Sequence, residues 1–205
     1  LSIQSLAGSI AIDSFIDEHT GPVSLKAAGS VDINQPIVNI VNGSTLDVSA
    51  GTDVNVNAQV EGRGGASGGA ITMTAARDLN VNQAVVTNNG RVSLTATNGA
   101  LNVASGTPLL SGTGATALTA RGDITTGPMS AGSLAINSTG GSVAVNGIID
   151  AATGDAQVRK VPYMLVVGGR EAEQGAVSLR RRTGEDLGAK PLDQVVTELA
   201  AEIAQ

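Results

Sequence analysis

The sequence predicts an all-β shaft with a small α/β addition: a parallel β-helix of about seven coils of roughly 22 residues, followed by a strand-strand-helix segment. Two observations predict this architecture. A phrase of two short strands joined by a bend recurs over residues 1–157, and the composition changes abruptly after it. We therefore expect two parts, a β-helix shaft over 1–157 and a C-terminal part over 158–205.

The composition narrows the possible classes of protein. The 205 residues include 27 glycines, one Phe, one Tyr and neither Trp nor Cys. With so few aromatic side chains, a thin interior of Val, Ile, Leu, Met and Ala is expected. A net charge of −6 argues against general affinity for nucleic acids, and the lack of cysteine excludes disulfides. The chain opens on Leu1, and we interpret it as a segment of a longer protein.

Each repeat is marked by the central apolar residues of its two strands. Successive first centres lie 18 to 25 residues apart, and in six repeats a second centre follows eight or nine residues later. The first centres are Ile3, Leu25, Val48, Met73, Leu94, Leu118 and Ile136, and the second centres are Ile12, Ile33, Val56, Val81, Val103 and Val145. We expect each repeat to form one coil, stacked about 4.8 Å from its neighbour.

Within each strand, apolar and polar residues alternate, as in Val23-Ser24-Leu25-Lys26. This period of two places one row of side chains inside and the other toward water. The bends between strands are rich in Gly, Asn and Asp, which tolerate the left-handed backbone angles of sharp corners. No stretch of residues 1–157 has helical periodicity with caps, so the shaft is predicted to contain strands and turns alone.

One polar position recurs directly after the second strand. It is occupied by Asp13, Asn34, Asn57, Asn82 and Asn146. Stacked from coil to coil, these side chains would form an amide ladder of the kind found in cross-β arrays. We interpret them as a structural column and not as a ligand site.

The repeats resemble those of a known family. Residues 75–82 (Ala-Ala-Arg-Asp-Leu-Asn-Val-Asn) and 90–96 (Gly-Arg-Val-Ser-Leu-Thr-Ala) are similar to the shafts of filamentous-haemagglutinin-type exoproteins, bacterial adhesins exported by two-partner secretion. The resemblance covers about residues 1–157. It implies a right-handed β-helix, a secreted or cell-surface location and a spacer or adhesive role without catalysis. The partners it implies are a host-cell surface or extracellular matrix and, during secretion, an outer-membrane transporter.

The C-terminal part differs in charge and pattern. Residues 1–157 carry 5 Lys/Arg and 11 Asp/Glu, whereas 158–205 carry 7 of each. The apolar run at 161–167 predicts a strand buried on both faces, and 176–180 predicts a second strand. A helix is predicted after Pro191, with an apolar face formed by Leu192, Val195, Val196, Leu199 and Ile203.

This part looks like the C-terminal end of threonyl-tRNA synthetase. The resemblance lies in 159–168 (Arg-Lys-Val-Pro-Tyr-Met-Leu-Val-Val-Gly), 175–182 and 184–188, and covers 158–205. It corresponds to the last part of that family's anticodon-binding domain. By position, Glu171 and Arg180 match residues that contact anticodon bases in the family. The domain's earlier elements and the catalytic domain have no counterpart, which argues against aminoacylation and against useful tRNA binding.

Together the two resemblances predict an engineered or recombined chimera. We interpret 158–205 as a cap, because a β-helix segment with bare ends exposes unpaired backbone groups and core residues. The strand pair would continue the stack, and the helix would lay its apolar face over the exposed end. Pairing of such ends between two chains would produce end-to-end self-association.

Two short motifs allow a functional and a structural interpretation. Arg121-Gly122-Asp123 is a tripeptide that integrins recognise on mobile loops, but it falls where other repeats have a bend, and the bend is favoured. Arg180-Arg181-Arg182 could grip phosphates. Alternation along a strand would instead expose Arg181 on one face and the other two on the opposite face, so a solvated hairpin is favoured.

No catalytic, cofactor-binding or metal site is predicted. Asp17, Glu18 and His19 cluster, but with one histidine in the chain an exposed loop is favoured over a metal or acid–base site. A β-helical polysaccharide lyase needs a cluster of carboxylate, Lys and Arg, yet Lys26 is the only lysine before Lys160. The prediction is a non-enzymatic shaft of a secreted adhesin. The alternatives are an RNA-binding module and a carbohydrate-binding or integrin-binding adhesin tip.

Overall fold

The structure is a computed structural model that describes residues 1–18, 21–39, 44–62, 68–151, 156–159, 163–166, 174–181 and 186–203. The chain divides into two compact units, Leu1–Val158 and Arg159–Gln205. No helix among the described residues is long and apolar enough to cross a membrane.

The described residues of the first unit form 22 strands, numbered in chain order, that stack into three sheets. Three successive strands make one coil, and each strand from β1 to β19 pairs with the strand three places later in the chain. The first sheet contains β1 (Ser2–Ser5), β4 (Val23–Ala27), β7 (Thr45–Ala50), β10 (Ala70–Ala75), β13 (Val92–Ala96), β16 (Ala115–Ala120), β19 (Ser133–Ser138) and β22 (Ala156–Arg159). The second contains β2 (Ile10–Ile12), β5 (Val31–Ile33), β8 (Val54–Val56), β11 (Leu79–Val81), β14 (Leu101–Val103), β17 (Ile124–Thr126) and β20 (Val143–Val145). The third contains β3 (Ile16–Glu18), β6 (Ile37–Asn39), β9 (Val60–Gly62), β12 (Val85–Thr87), β15 (Leu109–Leu110), β18 (Met129–Ala131) and β21 (Ile149–Ala151).

The strand pairs of this unit are parallel, so the predicted parallel β-helix is confirmed. The predicted register also holds along the first sheet, where Ile3 pairs with Leu25 and Met73 pairs with Leu94. Leu118 pairs with Ile136 at the other end. The inward residues are buried, because alternation along each strand directs every second side chain into the interior.

Two features of the shaft were not predicted. The repeats of the sequence predict two strands each, and the third sheet is additional. Its strands have two or three residues, too few for a period of two to be visible. The strand β17 was also missed, because polar Thr126 occupies its last inward position, where Val145 stands in the next coil.

The second unit has its own sheet. Strands β23 (Tyr163–Val166), β24 (Ala176–Arg181) and β25 (Asp186–Pro191) form an antiparallel three-stranded sheet, followed by helix α1 (Leu192–Ile203). The first two strands and the helix were predicted, and β25 was not. Among the described residues these strands pair with one another in a sheet of their own, and the expected continuation of the shaft's stack by the strand pair stays a prediction.

The helix of the second unit packs against its own sheet. Val195 is fully buried and forms a small core with Val177, Leu179 and the partly buried Leu187. On the same helix Leu192 is 48% exposed and Val196 is 58% exposed. One part of the predicted apolar face therefore serves the core of this unit, and the coverage of the shaft's end by the helix stays a prediction.

Candidate functional site

The predicted asparagine column forms a hydrogen-bonded ladder along the second sheet. The side-chain amide nitrogen of Asn34 donates to Asp13 Oδ1 (2.8 Å), that of Asn57 to Asn34 Oδ1 (3.0 Å) and that of Asn82 to Asn57 Oδ1 (2.9 Å). The next positions in the column are Ala104 and Gly127, which have no amide. Asn146 is thereby separated from the ladder.

A second ladder, which the sequence reading missed, runs beside the first. It passes through the outward residue at the middle of four successive second-sheet strands, β5, β8, β11 and β14. Asn55 Nδ2 donates to Asp32 Oδ1 (2.6 Å), Asn80 Nδ2 to Asn55 Oδ1 (2.9 Å) and Asn102 Nδ2 to Asn80 Oδ1 (3.0 Å). Its signal was present in the sequence, because each of these residues stands between two buried apolar residues at repeat spacing.

Both ladders have the same direction and the same ending. Every amide nitrogen donates toward the N-terminal end of the stack, where the last acceptor is Asp13 in one ladder and Asp32 in the other. An ionised carboxylate accepts hydrogen bonds only, and charge-assisted bonds are stronger than neutral ones. Asp32 also accepts from the hydroxyl of Ser30 (2.8 Å), so this carboxylate has partners on both oxygens.

A third column lies at the bend before the second-sheet strands. Here a side-chain oxygen accepts the backbone N–H of the equivalent residue in the next coil. The pairs are Ser9 Oγ with Ser30 N (3.0 Å), Asp53 Oδ1 with Asp78 N (3.1 Å), Asp78 Oδ1 with Ala100 N (2.8 Å) and Asp123 Oδ1 with Ser142 N (2.7 Å). The bend residues thus satisfy backbone donors that would otherwise lack partners at the corner.

The tripeptide Arg121-Gly122-Asp123 belongs to this bend. Gly122 N donates to Gly99 O (2.8 Å), and the Asp123 carboxylate is engaged by the next coil. A Cβ atom on Gly122 would lie 2.9 Å from Gly99 O, so the backbone of this coil sits directly on the coil below. The aspartate has the geometry of a corner residue.

The bend also carries an ion pair between Arg77 and Asp53. The guanidinium hydrogen-bonds to the carboxylate through both Nε and Nη2. This bond lowers the pKa of Asp53 from its ordinary value, and the N–H of Asp78 lowers it further against the opposing effect of partial burial. The Arg77 side chain is 65% exposed, so water and salt weaken the pair.

The remaining candidate residues are scattered or fall outside the described residues. Asp17 lies on the exposed side of β3, while the side chain of Glu18 and all of His19 lie outside. Glu171 and Arg182 also lie outside, and of Arg180 the structure describes the backbone, which pairs with Met164 in the sheet. Among the described residues no group of three or more His, Cys, Asp or Glu side chains could hold a metal ion.

The geometry defines the first unit as a β-solenoid whose polar side chains are organised in columns. Comparison with known proteins yields matches in the C-terminal part of the chain. A family model described as "Anticodon binding domain" matches residues 145–202. This match starts at the last residue of β20 and therefore overlaps the last coil of the shaft.

Curated relatives match the same part. The chain is 54% identical over 48 residues to the threonine–tRNA ligase of Nitratidesulfovibrio vulgaris (strain DP4), a match that covers 23% of this chain and 8% of the ligase. It is 47% identical over 51 residues to the ligase of Carboxydothermus hydrogenoformans, covering 25% of this chain and 8% of the ligase. The chain thus spans about 8% of the length of these relatives. No solved structure matches.

Proposed function

We propose that residues 1–157 are a non-enzymatic structural shaft segment of a secreted bacterial adhesin, and that residues 158–205 are a fused C-terminal part that stabilises it. The observation that carries the proposal is the use of polar side chains along the second sheet. The described hydrogen bonds of these side chains mostly join one coil to the next, as in Asn57 to Asn34 and Asp123 to Ser142. Hydrogen bonds of this kind hold successive coils together along the stack, as a structural shaft requires.

In this proposal the parent protein is exported through an outer-membrane transporter and faces a host-cell surface or extracellular matrix. No cofactor or metal takes part. The resemblance of the repeats to filamentous-haemagglutinin-type shafts supports the location, and the regular stack supports the role of a spacer. The tripeptide at residues 121–123 serves as a bend and not as a receptor-binding loop.

The shaft role is tested by removing one whole coil. Because Ile71 pairs with Val92 and Met73 with Leu94, deleting residues 71–91 joins Ala70 to Val92 in register. We expect a folded protein whose shaft is shorter by about 4.8 Å, the spacing of neighbouring strands. Small-angle X-ray scattering and circular dichroism measure the two properties. Loss of the fold on removal of a complete coil would contradict a modular shaft.

Adhesion through the tripeptide is tested separately by binding of the purified chain to integrin-bearing cells. We expect that Asp123→Glu does not reduce the binding of the chain to these cells. The reason is that the Asp123 carboxylate is already engaged by a hydrogen bond from Ser142 N. Binding lost in Asp123→Glu but kept in Asp78→Glu, the equivalent bend residue two coils earlier, would favour an adhesin tip instead.

The second candidate function is an RNA-binding module, favoured by the anticodon-binding and threonine–tRNA ligase matches. In this alternative Glu171 and Arg180 contact anticodon bases. Filter binding of a threonine tRNA transcript distinguishes the two candidates. The shaft proposal predicts no saturable binding, whereas the alternative predicts binding that Arg180→Ala weakens and the shaft variant Arg77→Ala leaves unchanged.

A further inference from the structure

The outer face of the third sheet is chemically different from the other two faces of the shaft. Two columns of outward residues run along it, seven residues each. The column before the strands contains Phe15, Pro36, Gln59, Ala84, Pro108, Pro128 and Ile148. The column at the second strand position contains Asp17, Val38, Glu61, Val86, Leu110, Ser130 and Asp150.

Nine of these fourteen residues are apolar, and we call these nine the apolar strip. Several of its side chains are well exposed: Phe15 by 56%, Leu110 by 37% and Ile148 by 80%. Within the described strands of the first and second sheets, the outward residues are polar or Ala, as at Ala117 and Ala11. Elsewhere on the shaft, Pro22 directly before β4, Leu1, Leu6 and Val145 are exposed apolar residues. The large outward apolar residues of the described coils are therefore concentrated on the face of the third sheet, with a few exposed ones elsewhere.

The backbone does not require these residues. The prolines contribute carbonyl groups to the backbone hydrogen bonds between coils. Pro108 O accepts from Val85 N (3.2 Å), and Pro128 O accepts from Leu109 N (3.0 Å). Each outward side chain on this face points away from the core that Val85 and Leu109 fill. Polar residues would serve the coil equally well, as they do on the other faces, so the strip is a feature of the surface.

The dimensions of the strip determine what can cover it. Seven coils at about 4.8 Å span about 29 Å, and two columns give a breadth of about 10 Å. The resulting area of about 300 Å² falls well below the roughly 800 Å² that each partner buries in a stable dimer. A single α-helix is about 10 Å wide, and about 19 residues of helix cover the length.

The charges on this face also discriminate between occupants. Its described ionisable residues are Asp17, Glu61 and Asp150, and the fourteen positions include no Lys or Arg. Glu61 accepts a hydrogen bond from Gln59, which keeps its carboxylate on this face. Two copies of the chain placed face to face would bring like charges together, whereas cationic side chains beside an apolar stripe would complement them.

We propose that the apolar strip is a docking surface for an amphipathic helix of a partner protein, in which an apolar stripe is flanked by Lys or Arg. The helix lies along the shaft with its apolar stripe on Val86 and Leu110, and its basic residues face the carboxylates. This helix-on-face contact uses the same physics as helix-in-groove recognition. It is independent of the function proposed above.

The probe is a fluorescein-labelled peptide of 20 residues with a Leu/Ala stripe flanked by Lys, and binding to the full chain is followed by anisotropy. We expect saturable binding that falls at least about tenfold in the double variant Val86→Thr/Leu110→Thr, because the peptide loses its apolar contacts. The matched control Thr74→Ser/Thr95→Ser, on the first sheet, should bind within about twofold of the parent. A peptide with Glu in place of Lys should bind more weakly.

Circular dichroism and urea unfolding establish that both variants are folded, which is expected because their side chains point outward. Absence of peptide binding, or equal binding by both double variants, overturns the proposal. So does a concentration-dependent dimer that Val86→Thr/Leu110→Thr abolishes, since the occupant is then a second copy. Sedimentation with phosphatidylcholine vesicles that the same variant abolishes would identify a lipid surface and also overturn it.

Discussion

At the scale of the residue, the buried hydroxyl groups of the shaft differ in whether they have a hydrogen-bond partner. Thr126 is fully buried at an inward position, and its Oγ1 has no hydrogen-bond partner among the described residues. Thr116 is also buried, but its Oγ1 lies 2.8 Å from Ser111 Oγ. A buried hydroxyl without a partner costs about 1–3 kcal/mol, while a bonded one contributes net stability.

Replacing each of these threonines by valine should therefore have opposite effects. We expect Thr126→Val to raise the free energy of unfolding by about 1 kcal/mol and Thr116→Val to lower it by a similar amount. Valine has nearly the same shape and keeps the strand. Urea unfolding followed by circular dichroism measures both, and destabilisation by Thr126→Val would show that the hydroxyl has a partner.

The ion pair at the bend predicts a dependence on pH. The pKa of Asp53 is lowered in the folded state, chiefly by its hydrogen bond to Arg77. Its contribution to stability is thus fully present above the unfolded pKa of about 4 and is lost as the pH falls through the folded pKa. Arg77→Ala should reduce stability at neutral pH and make little difference in acid.

The matched control is Lys26→Ala, which removes an exposed cation of the first sheet. The difference between the parent and Arg77→Ala, measured by urea unfolding from about pH 7 to about pH 3, should shrink as the Asp53 carboxylate gains a proton. A difference that stays constant over this range would contradict the assignment. Screening by salt should also reduce it.

At the scale of the element, the ladders join strands that backbone hydrogen bonds already pair. Asn80 is an interior member, bonded to Asn55 on one side and Asn102 on the other. Asn80→Ala removes both bonds, so that the acceptor Asn55 Oδ1 and the donor Asn102 Nδ2 must bond to water instead. Asn146→Ala is the matched control, since its column neighbour Gly127 has no side chain.

We expect Asn80→Ala to cost about 1 kcal/mol and Asn146→Ala less than about 0.5 kcal/mol, because a partly exposed hydrogen bond makes a modest net contribution. Thermal and urea unfolding of the two variants test the difference. Equal losses of stability in the two variants would mean that the hydrogen bonds of the ladder add no stability beyond the effect of an asparagine side chain in a strand.

The success of sequence reasoning also varies from element to element. First-sheet strands such as β10 (Ala70–Ala75) and β16 (Ala115–Ala120) are long enough to show alternation, so their register was predictable. The strand β15 (Leu109–Leu110) has two residues, too few to show an alternation of apolar and polar side chains. The second ladder was not predicted, although Asn80 stands between Leu79 and Val81 at a position that repeats from coil to coil. The side chain of Arg180 and all of Glu171 lie outside the described residues.

At the scale of the whole molecule, the two units raise the question of whether the second supports the first. The proposal assigns the second unit a stabilising role. A chain ending at Val158 removes it at the boundary between the units. If 158–205 acts as a cap, this shorter chain should unfold at a lower temperature and aggregate at increasing concentration, because open strand edges pair with other chains.

Light scattering during a thermal ramp measures both effects in the parent and the shortened chain. Limited proteolysis gives an independent test, since a cap should resist cleavage as long as the shaft is folded. Rapid loss of residues 160–205 with an intact, soluble shaft would show that the shaft needs no cap from this part of the chain.

The direction of the ladders has a consequence for how the stack comes together. Because each amide donates backward to an oxygen of the preceding coil, as Asn57 does to Asn34, each coil that belongs to a ladder presents one or two side-chain acceptors to its successor, up to the coil that contains Asn102. The acceptors of one coil thereby fix the positions of the amide side chains of the next coil. Stacking of coils from the Asp13 and Asp32 end therefore meets prepared acceptors as far as the coil of Asn102, where the second ladder ends.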